Sequence, residues 1–272
     1  TGQDGSYLAE YLLSLGYEVH GLRRKTSTNN LDRLDHLNIK PQTNSGSLHL
    51  HFADLQDSYS LTNVIKDINP DEVYNLAAQS DVRVSFDLPE YTGEVTGIST
   101  IKVLECLRKN NPSTRFYQAS SSEMFGATPP PQNERTPFHP RSPYAVAKVY
   151  SYWATVNYRE AYDLFATNGI LFNHESPRRG TGFVTRKITR EISRILAGKT
   201  NCIYLGNMDA KRDWGFAPEY VQCMHLMLQQ NEPGDFVMGT GESYSVREFL
   251  VSALKYCGVE IEWKGTGVNE LG

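Results

Sequence analysis

Phe116-Tyr117-Gln118-Ala119-Ser120-Ser121-Ser122-Glu123 is the stretch on which the reading of this chain turns. Its first residues, Phe116 to Ala119, have strand character and run straight into three hydroxyls and a carboxylate, so polar groups collect where a strand ends. Further on stands Tyr144-Ala145-Val146-Ala147-Lys148. A spacing of four residues puts Tyr144 and Lys148 on one helix face, where an ammonium stabilises a phenolate and lowers the phenol pKa from its reference of about 10. A phenol so placed can act as a base at neutral pH.

Outward from this pair, strand and helix patterns alternate. Glu18 to Leu22, Leu48 to Ala53, Glu72 to Ala77 and Ile170 to Asn173 read as further strands. Leu61, Val64, Ile65 and Ile68 form one helical stripe, and Ile98, Ile101, Leu104 and Leu107 another. Such alternation predicts an α/β fold, a doubly wound parallel sheet with helices on both faces and ligands at the carboxyl ends of its strands. Residues 1–172 are expected to form a nucleotide-binding domain. Residues 173–272, with the basic helix carrying Arg186, Lys187, Arg190 and Arg194, are expected to form a smaller substrate-binding portion interwoven with the last strands of the sheet. The opening Thr1-Gly2-Gln3-Asp4-Gly5-Ser6 passes directly into a helical pattern (Tyr7, Leu8, Leu12, Leu13), and the close is a polar stretch from Gly265 to Gly272. The expectation is that the first strand and a C-terminal part of the fold lie outside this sequence.

With 272 residues, 39% of them hydrophobic, the chain can bury one large core or slightly more. A net charge of -4 argues against nucleic-acid binding, which needs a basic surface. No apolar run approaches a membrane span and no signal peptide is present, so a soluble, cytoplasmic protein is expected. Cys106, Cys202, Cys223 and Cys257 are scattered without metal-ligand spacing and read as reduced thiols, with no metal site expected.

Gly2 and Gly5 suit either an ordinary turn or a pyrophosphate cradle, and their place ahead of a helix favours the cradle. Arg23-Arg24-Lys25-Thr26-Ser27 follows the second strand of such a fold, where cations favour the 2'-phosphate of NADP over the bare ribose of NAD. A solvated basic loop is the plainer alternative. Asp54-Leu55 and Leu76-Ala77-Ala78-Gln79 sit at strand ends, where small residues leave room for a nucleotide.

The glycine turn and the Tyr144–Lys148 pair resemble the extended short-chain dehydrogenase/reductase superfamily, which has a Rossmann-type fold. Finer motifs resemble its GDP-mannose 4,6-dehydratase family: Thr1-Gly2-Gln3-Asp4-Gly5-Ser6-Tyr7, Tyr74-Asn75-Leu76-Ala77-Ala78-Gln79-Ser80, Asn173-His174-Glu175-Ser176-Pro177-Arg178-Arg179-Gly180 and Arg212-Asp213-Trp214-Gly215. The likeness runs across essentially the whole chain. It implies NADP contacts at Gly2, Gly5, Arg24, Asp54, Leu55, Gln79, Tyr91, Tyr144, Lys148, His174 and Arg179, to which the basic stretch after the second strand adds Lys25, Thr26 and Ser27. It implies catalysis by Ser121, Glu123 and Tyr144, assisted by Lys148, and substrate contacts at Asn173, Val184, Lys187, Gly206, Arg212 and Arg247.

The reaction implied is oxidation of GDP-mannose at C4, loss of water across C5 and C6, and return of the hydride to C6. Related dehydratases acting on glucose substrates carry Asp beside the Glu. Ser122 stands there in this chain, which favours the mannose branch and leaves Glu123 to shuttle protons. Position 121 is Ser where many members have Thr, and either hydroxyl can donate to a sugar O4. A nucleotide-sugar 4-epimerase or reductase would share the fold and the Tyr144–Lys148 pair but has no use for a carboxylate at 123, and a non-catalytic binding protein is a further alternative. The long basic loop from Arg23 to Leu34 meets a neighbouring subunit in the resembled family, which implies a homodimer or homotetramer.

Overall fold

The computed structural model describes residues 1–27, 30–37 and 48–272, apart from the Val268 side chain. Thr28 and Asn29, within the loop expected to meet a second subunit, lie outside the described residues. In chain order come α1 (Gln3–Ser14), β1 (Val19–Arg23), β2 (Leu48–Phe52), α2 (Ser58–Ile68), β3 (Glu72–Asn75), α3 (Val82–Asp87), α4 (Pro89–Thr92) and α5 (Ser99–Asn110). Then follow β4 (Arg115–Ser121), α6 (Pro143–Tyr162), β5 (Ala166–Leu171), β6 (Asn173–Glu175), α7 (Val184–Leu196) and β7 (Lys211–Arg212). The last are β8 (Trp214–Phe216), α8 (Ala217–Leu228), β9 (Asp235–Met238), β10 (Tyr244–Ser245) and α9 (Val246–Tyr256). The chain divides into two compact units, Thr1–Phe172 with Phe216–Met238, and Asn173–Gly215 with Gly239–Gly272.

In the first unit the strands pair in parallel in the order β3-β4-β5-β9, with β1 and β2 forming a separate parallel pair among the described residues. Side chains alternate across β4, so Phe116 and Tyr117 enter opposite layers. Phe116 packs with Leu61 and Ile65 of α2 and Val103, Leu104 and Leu107 of α5. Tyr117 packs with Leu8 and Leu12 of α1 and Tyr220, Val221 and Met224 of α8. Each fully buried Leu, Ile or Phe of these layers contributes about 1.5–3 kcal/mol by leaving water. This is the expected doubly wound arrangement.

Two details depart from the sequence pattern. The strand expected over Ile170–Asn173 begins at Ala166, and Asn173 leaves it for β6, which pairs with β8. All six residues of β5 are buried, although Thr167, Asn168 and Gly169 lack strand-like apolar character. Asn168 is satisfied by accepting from Ser120 at 3.1 Å and donating to Asp235 at 2.8 Å. At Gly169 an added Cβ would lie 2.3 Å from the Tyr117 hydroxyl, so only glycine admits the ring of the neighbouring strand. The second departure is Ile98, expected in the buried stripe of α5 but 46% exposed. It ends a π-helical segment, Gly93–Ile98, whose wider turn shifts the phase of the helix that follows.

The second unit pairs β7 with β10 antiparallel. Its core joins Ile188 and Ile192 of α7 to Val246 and Leu250 of α9, and α9 opens with a capping box between Ser245 and Glu248. Cys106 is buried, Cys223 half-buried, Cys202 and Cys257 exposed, and all are free thiols. Among the described residues no helix is long and apolar enough to cross a membrane.

Candidate active site

Helix α6 starts where its sequence dictates. The Ser142 hydroxyl accepts from the Ala145 amide at 3.1 Å, and Pro143, which has no N–H to satisfy, takes the first turn. Tyr144 and Lys148 then fall one turn apart, both buried. Ala147 lets the helix lie close to the π-helical segment, where a Cβ on Gly97 would meet the Ala147 carbonyl at 3.4 Å. Ser151 fixes that approach by donating to the Thr96 carbonyl at 2.6 Å.

Lys148 reaches from α6 to β4. Its Nζ donates to the Ala119 carbonyl at 2.6 Å and stands 5.8 Å from the centre of the Tyr144 ring. Burial pushes the lysine pKa from its ordinary 10.5 down to about 8, and the Asp4 carboxylate opposes the shift. Asp4 lies between the two opening glycines. Sequence reasoning assigned it nothing, because no periodicity links it to a helix far along the chain.

Two residues past Ala119, the Ser121 side chain ends β4 and accepts from the Glu123 amide at 3.2 Å. This sets a single 3₁₀ turn, Ser122–Met124, anchored by the fully buried Met124 and Phe125. Gly126, at φ +53°, lets the chain fold back against the irregular segment leading to α6: a Cβ there would lie 1.9 Å from the His139 carbonyl. Backbone bonds from His139 to the Met124 carbonyl and from Ala127 to the His139 carbonyl, each 3.1 Å, close the excursion. Glu123 is half-buried, and its carboxylate makes no hydrogen bond or ion pair among the described residues.

The expected cofactor residues fall into two groups. In the first unit Gly2 is the N-cap of α1, and a Cβ on Gly2 or Gly5 would meet nothing within 4 Å, so the helix start has clear space before it. Arg24, just past β1, donates to the Tyr91 hydroxyl of α4 at 2.8 Å, joining two residues distant in sequence. Lys25 lies over the Phe52 ring at 4.7 Å, and Thr26 and Ser27 are exposed beside it. Asp54 accepts from the Gln56 amide at 3.0 Å and Leu55 packs against the α2–α5 core. The Gln79 amide is already used, donating to the Asp81 carbonyl at 2.9 Å and to Thr92 at 3.2 Å.

His174 and Arg179 belong to the second unit. His174 is buried, and Arg179 pairs with Glu175 at 3.3 Å over the Phe183 ring. Of the expected substrate residues, all in this unit, Asn173 opens β6 and Val184 opens α7. Lys187 donates to the Tyr204 carbonyl at 2.5 Å, and Gly206 faces open space. Arg212 is exposed. Arg247 is held by both oxygens of Glu270 at 2.9 Å and by Asp209 at 3.2 Å, so its charge is already matched.

A buried tyrosine–lysine pair on a helix beside a strand end, with a glycine-led helix start in the same unit, is the arrangement of an enzyme of the doubly wound α/β class. A family model described as GDP-mannose 4,6 dehydratase matches residues 1–272. The GDP-mannose 4,6-dehydratase of Yersinia enterocolitica is 55% identical, covering 100% of this chain and 74% of its own. The human GDP-mannose 4,6 dehydratase is 54% identical with the same coverage of both chains. Among solved structures, a dTDP-glucose 4,6-dehydratase from Streptomyces venezuelae with NAD and TYD bound superposes with a TM-score of 0.83 at 22% identity, covering 95% of this chain and 79% of the other. RMD from Pseudomonas aeruginosa, complexed with NADPH, gives 0.75 at 23% identity, with 90% and 84% covered. This chain belongs to the GDP-mannose 4,6-dehydratase family.

The depressed lysine pKa has a measurable sign. Below a pH of about 8 both folded and unfolded chains carry the Lys148 proton and the full burial cost is present. Between about 8 and 10.5 the unfolded chain holds a proton the folded chain has lost, so stability rises with pH, by up to about 3 kcal/mol. Denaturant unfolding on either side of that window should show this rise in the parent and a smaller one in Lys148→Met. Equal rises in the two proteins would contradict the burial.

Proposed function

We propose that this chain is an NADP-dependent hydro-lyase that converts GDP-mannose to GDP-4-keto-6-deoxy-mannose. Its dehydratase chemistry rests on family membership. The observation that carries the residue roles is Glu123, a half-buried carboxylate with no partner among the described residues, on a turn tied to Ser121 at the end of β4. An unpaired carboxylate at such a place is available to take a proton.

The clear space before Gly2 and Gly5 fits a pyrophosphate at the start of α1, and Arg24 and Lys25 fit a 2'-phosphate. When bound, NADP would accept hydride from C4 of the sugar and return it to C6. Tyr144 takes the proton of the 4-hydroxyl, its phenolate favoured by the Lys148 ammonium, while Ser121 hydrogen-bonds the same oxygen. The resulting ketone acidifies C5–H. Glu123 removes that proton and protonates the departing 6-hydroxyl, which leaves as water. A proton equal to the one Tyr144 took from O4 restores C5, so water is the only net loss. In the second unit, exposed Arg212 and the residues Asn173, Val184, Lys187 and Gly206 are assigned to the nucleotide sugar, with His174 and Arg179 assigned to the cofactor. Arg247 can join them only by leaving its carboxylates. Residues 1–172 would thus be chiefly the cofactor-binding portion and 173–272 chiefly the substrate portion.

A cytoplasmic homo-oligomer is part of the same reading. Val146, Tyr150 and Trp153, spaced at i, i+4 and i+7 on α6, are 56%, 45% and 56% exposed, an apolar stripe suited to a second copy of the helix.

Three outcomes are expected. Glu123→Gln, incubated with GDP-mannose and NADP, should form the 6-deoxy sugar about 10²–10⁴-fold more slowly by mass spectrometry, while reduced-cofactor absorbance still shows oxidation at C4. Formation at the parental rate would remove Glu123 from its role. Arg24→Ala should weaken NADP binding far more than NAD binding in equilibrium titrations, and equal losses would count against NADP preference. Trp153→Glu should lower the mass seen by light scattering to that of a monomer, and an unchanged mass would show that α6 is not the interface.

A further inference from the structure

The proposed reaction leaves unused a group of three imidazoles on β1 and β2 and a carboxylate, Glu18, immediately before β1. In the parallel register His20 lies opposite His49, and His51 lies two residues further along β2. Glu18 precedes His20 by two. The period of two in a strand therefore turns all four side chains to one face of the pair.

The rings are ordered by stacking. His20 lies 4.7 Å from His49 and 5.2 Å from His51, centre to centre, at interplanar angles of 20° and 17°. The Nε2 atoms of His20 and His49 converge on one oxygen of Glu18, at 3.4 and 3.0 Å. The three candidate donor atoms all lie within 4.8 Å of one another. In a tetrahedral zinc site, bonds of about 2.0–2.1 Å place donor atoms about 3.3 Å apart. Two of the three separations therefore already match, and the third, no more than 4.8 Å, would have to shorten on binding.

His20 is also supported from behind. Its Nδ1 lies 3.0 Å from Nε2 of His51, close enough for one to donate to the other. When His20 is the donor, its Nε2 lone pair is directed at the shared position beside Glu18. Metal-ligating histidines commonly hold their second nitrogen in such a bond, which fixes tautomer and ring orientation.

We propose that Glu18, His20 and His49 bind one divalent transition-metal ion of the zinc class, with His51 orienting His20 and water at the fourth position. Imidazole nitrogen and carboxylate oxygen are the donors such an ion takes in three-ligand sites. Glu18 and His49 are well exposed, so the position is open to ions from solution. The ion would tie β1 to β2 just ahead of Arg24. None of the four residues has a role in the dehydratase reading, so either can fail without the other.

The test uses the chain carrying Cys202→Ser and Cys257→Ser, which removes the exposed thiols as competing ligands, stripped of metal by a chelator. Titration with zinc chloride in a calorimeter should show one ion per chain, and cobalt(II) should give the visible absorption of a tetrahedral site. His49→Asn and Glu18→Gln should each weaken zinc binding at least about tenfold, and His51→Phe by about 10–100-fold. Zinc should raise the unfolding temperature of the parent and not that of His49→Asn. His49 is exposed, so that variant carries the test even if His20→Asn fails to fold. Absence of saturable binding below roughly millimolar zinc, or equal binding by parent and His49→Asn, overturns the proposal.

Discussion

A lysine ammonium buried against the carbonyl that precedes a strand's polar end is the contact around which the first unit is arranged. The bond from Lys148 to Ala119 joins α6 to β4, and every residue proposed for catalysis lies on α6, at the end of β4 or on the turn that follows it. It also sets the electrostatics. Burying an ammonium is costly, and the depressed pKa of Lys148 records that cost, with Asp4 as its partial compensation. The same burial makes the charge effective on Tyr144, because little water screens it.

Glu123 extends this logic by contrast. Where Lys148 is fixed by a short bond, the Glu123 carboxylate has no partner among the described residues while its backbone is fixed through Ser121. Position is thus supplied by the turn, with Met124 and Phe125 as its buried anchors, and the acid–base group remains free to move protons. The polar residues that cross the sheet work differently: Asn168 is satisfied by Ser120 and Asp235 of the neighbouring strands and by the Tyr152 carbonyl of α6.

What could be read from the sequence was local. A spacing of four pairs Tyr144 with Lys148, and the stripes read for α2 and α5 follow the 3.6-residue period apart from Ile98. What could not be read depends on contacts between distant segments. The first half of β5 is small and polar because Tyr117 and Asp235 occupy the space that apolar side chains would fill. Ile98 faces outward because a π-helical turn precedes it, and nothing in its own periodicity shows that. Asp4 acts on Lys148 only through the fold, and Glu270 and Asp209 reach the Arg247 guanidinium from positions that no local spacing connects to it. The histidines of β1 and β2 are likewise separated in sequence and become neighbours only through strand register, which is why spacing rules for metal ligands passed over them.

Tyr144, Lys148, Ser121 and Glu123 are proposed to surround one sugar ring, and a crystal structure of the protein with NADP and GDP-mannose would show whether they do. It should place the mannosyl O4 within hydrogen-bonding distance of the Tyr144 and Ser121 hydroxyls, with the Glu123 carboxylate directed at C5 and Lys148 still bonded to the Ala119 carbonyl. A sugar bound with C4 remote from Tyr144, or with Glu123 turned away from the ring, would contradict it.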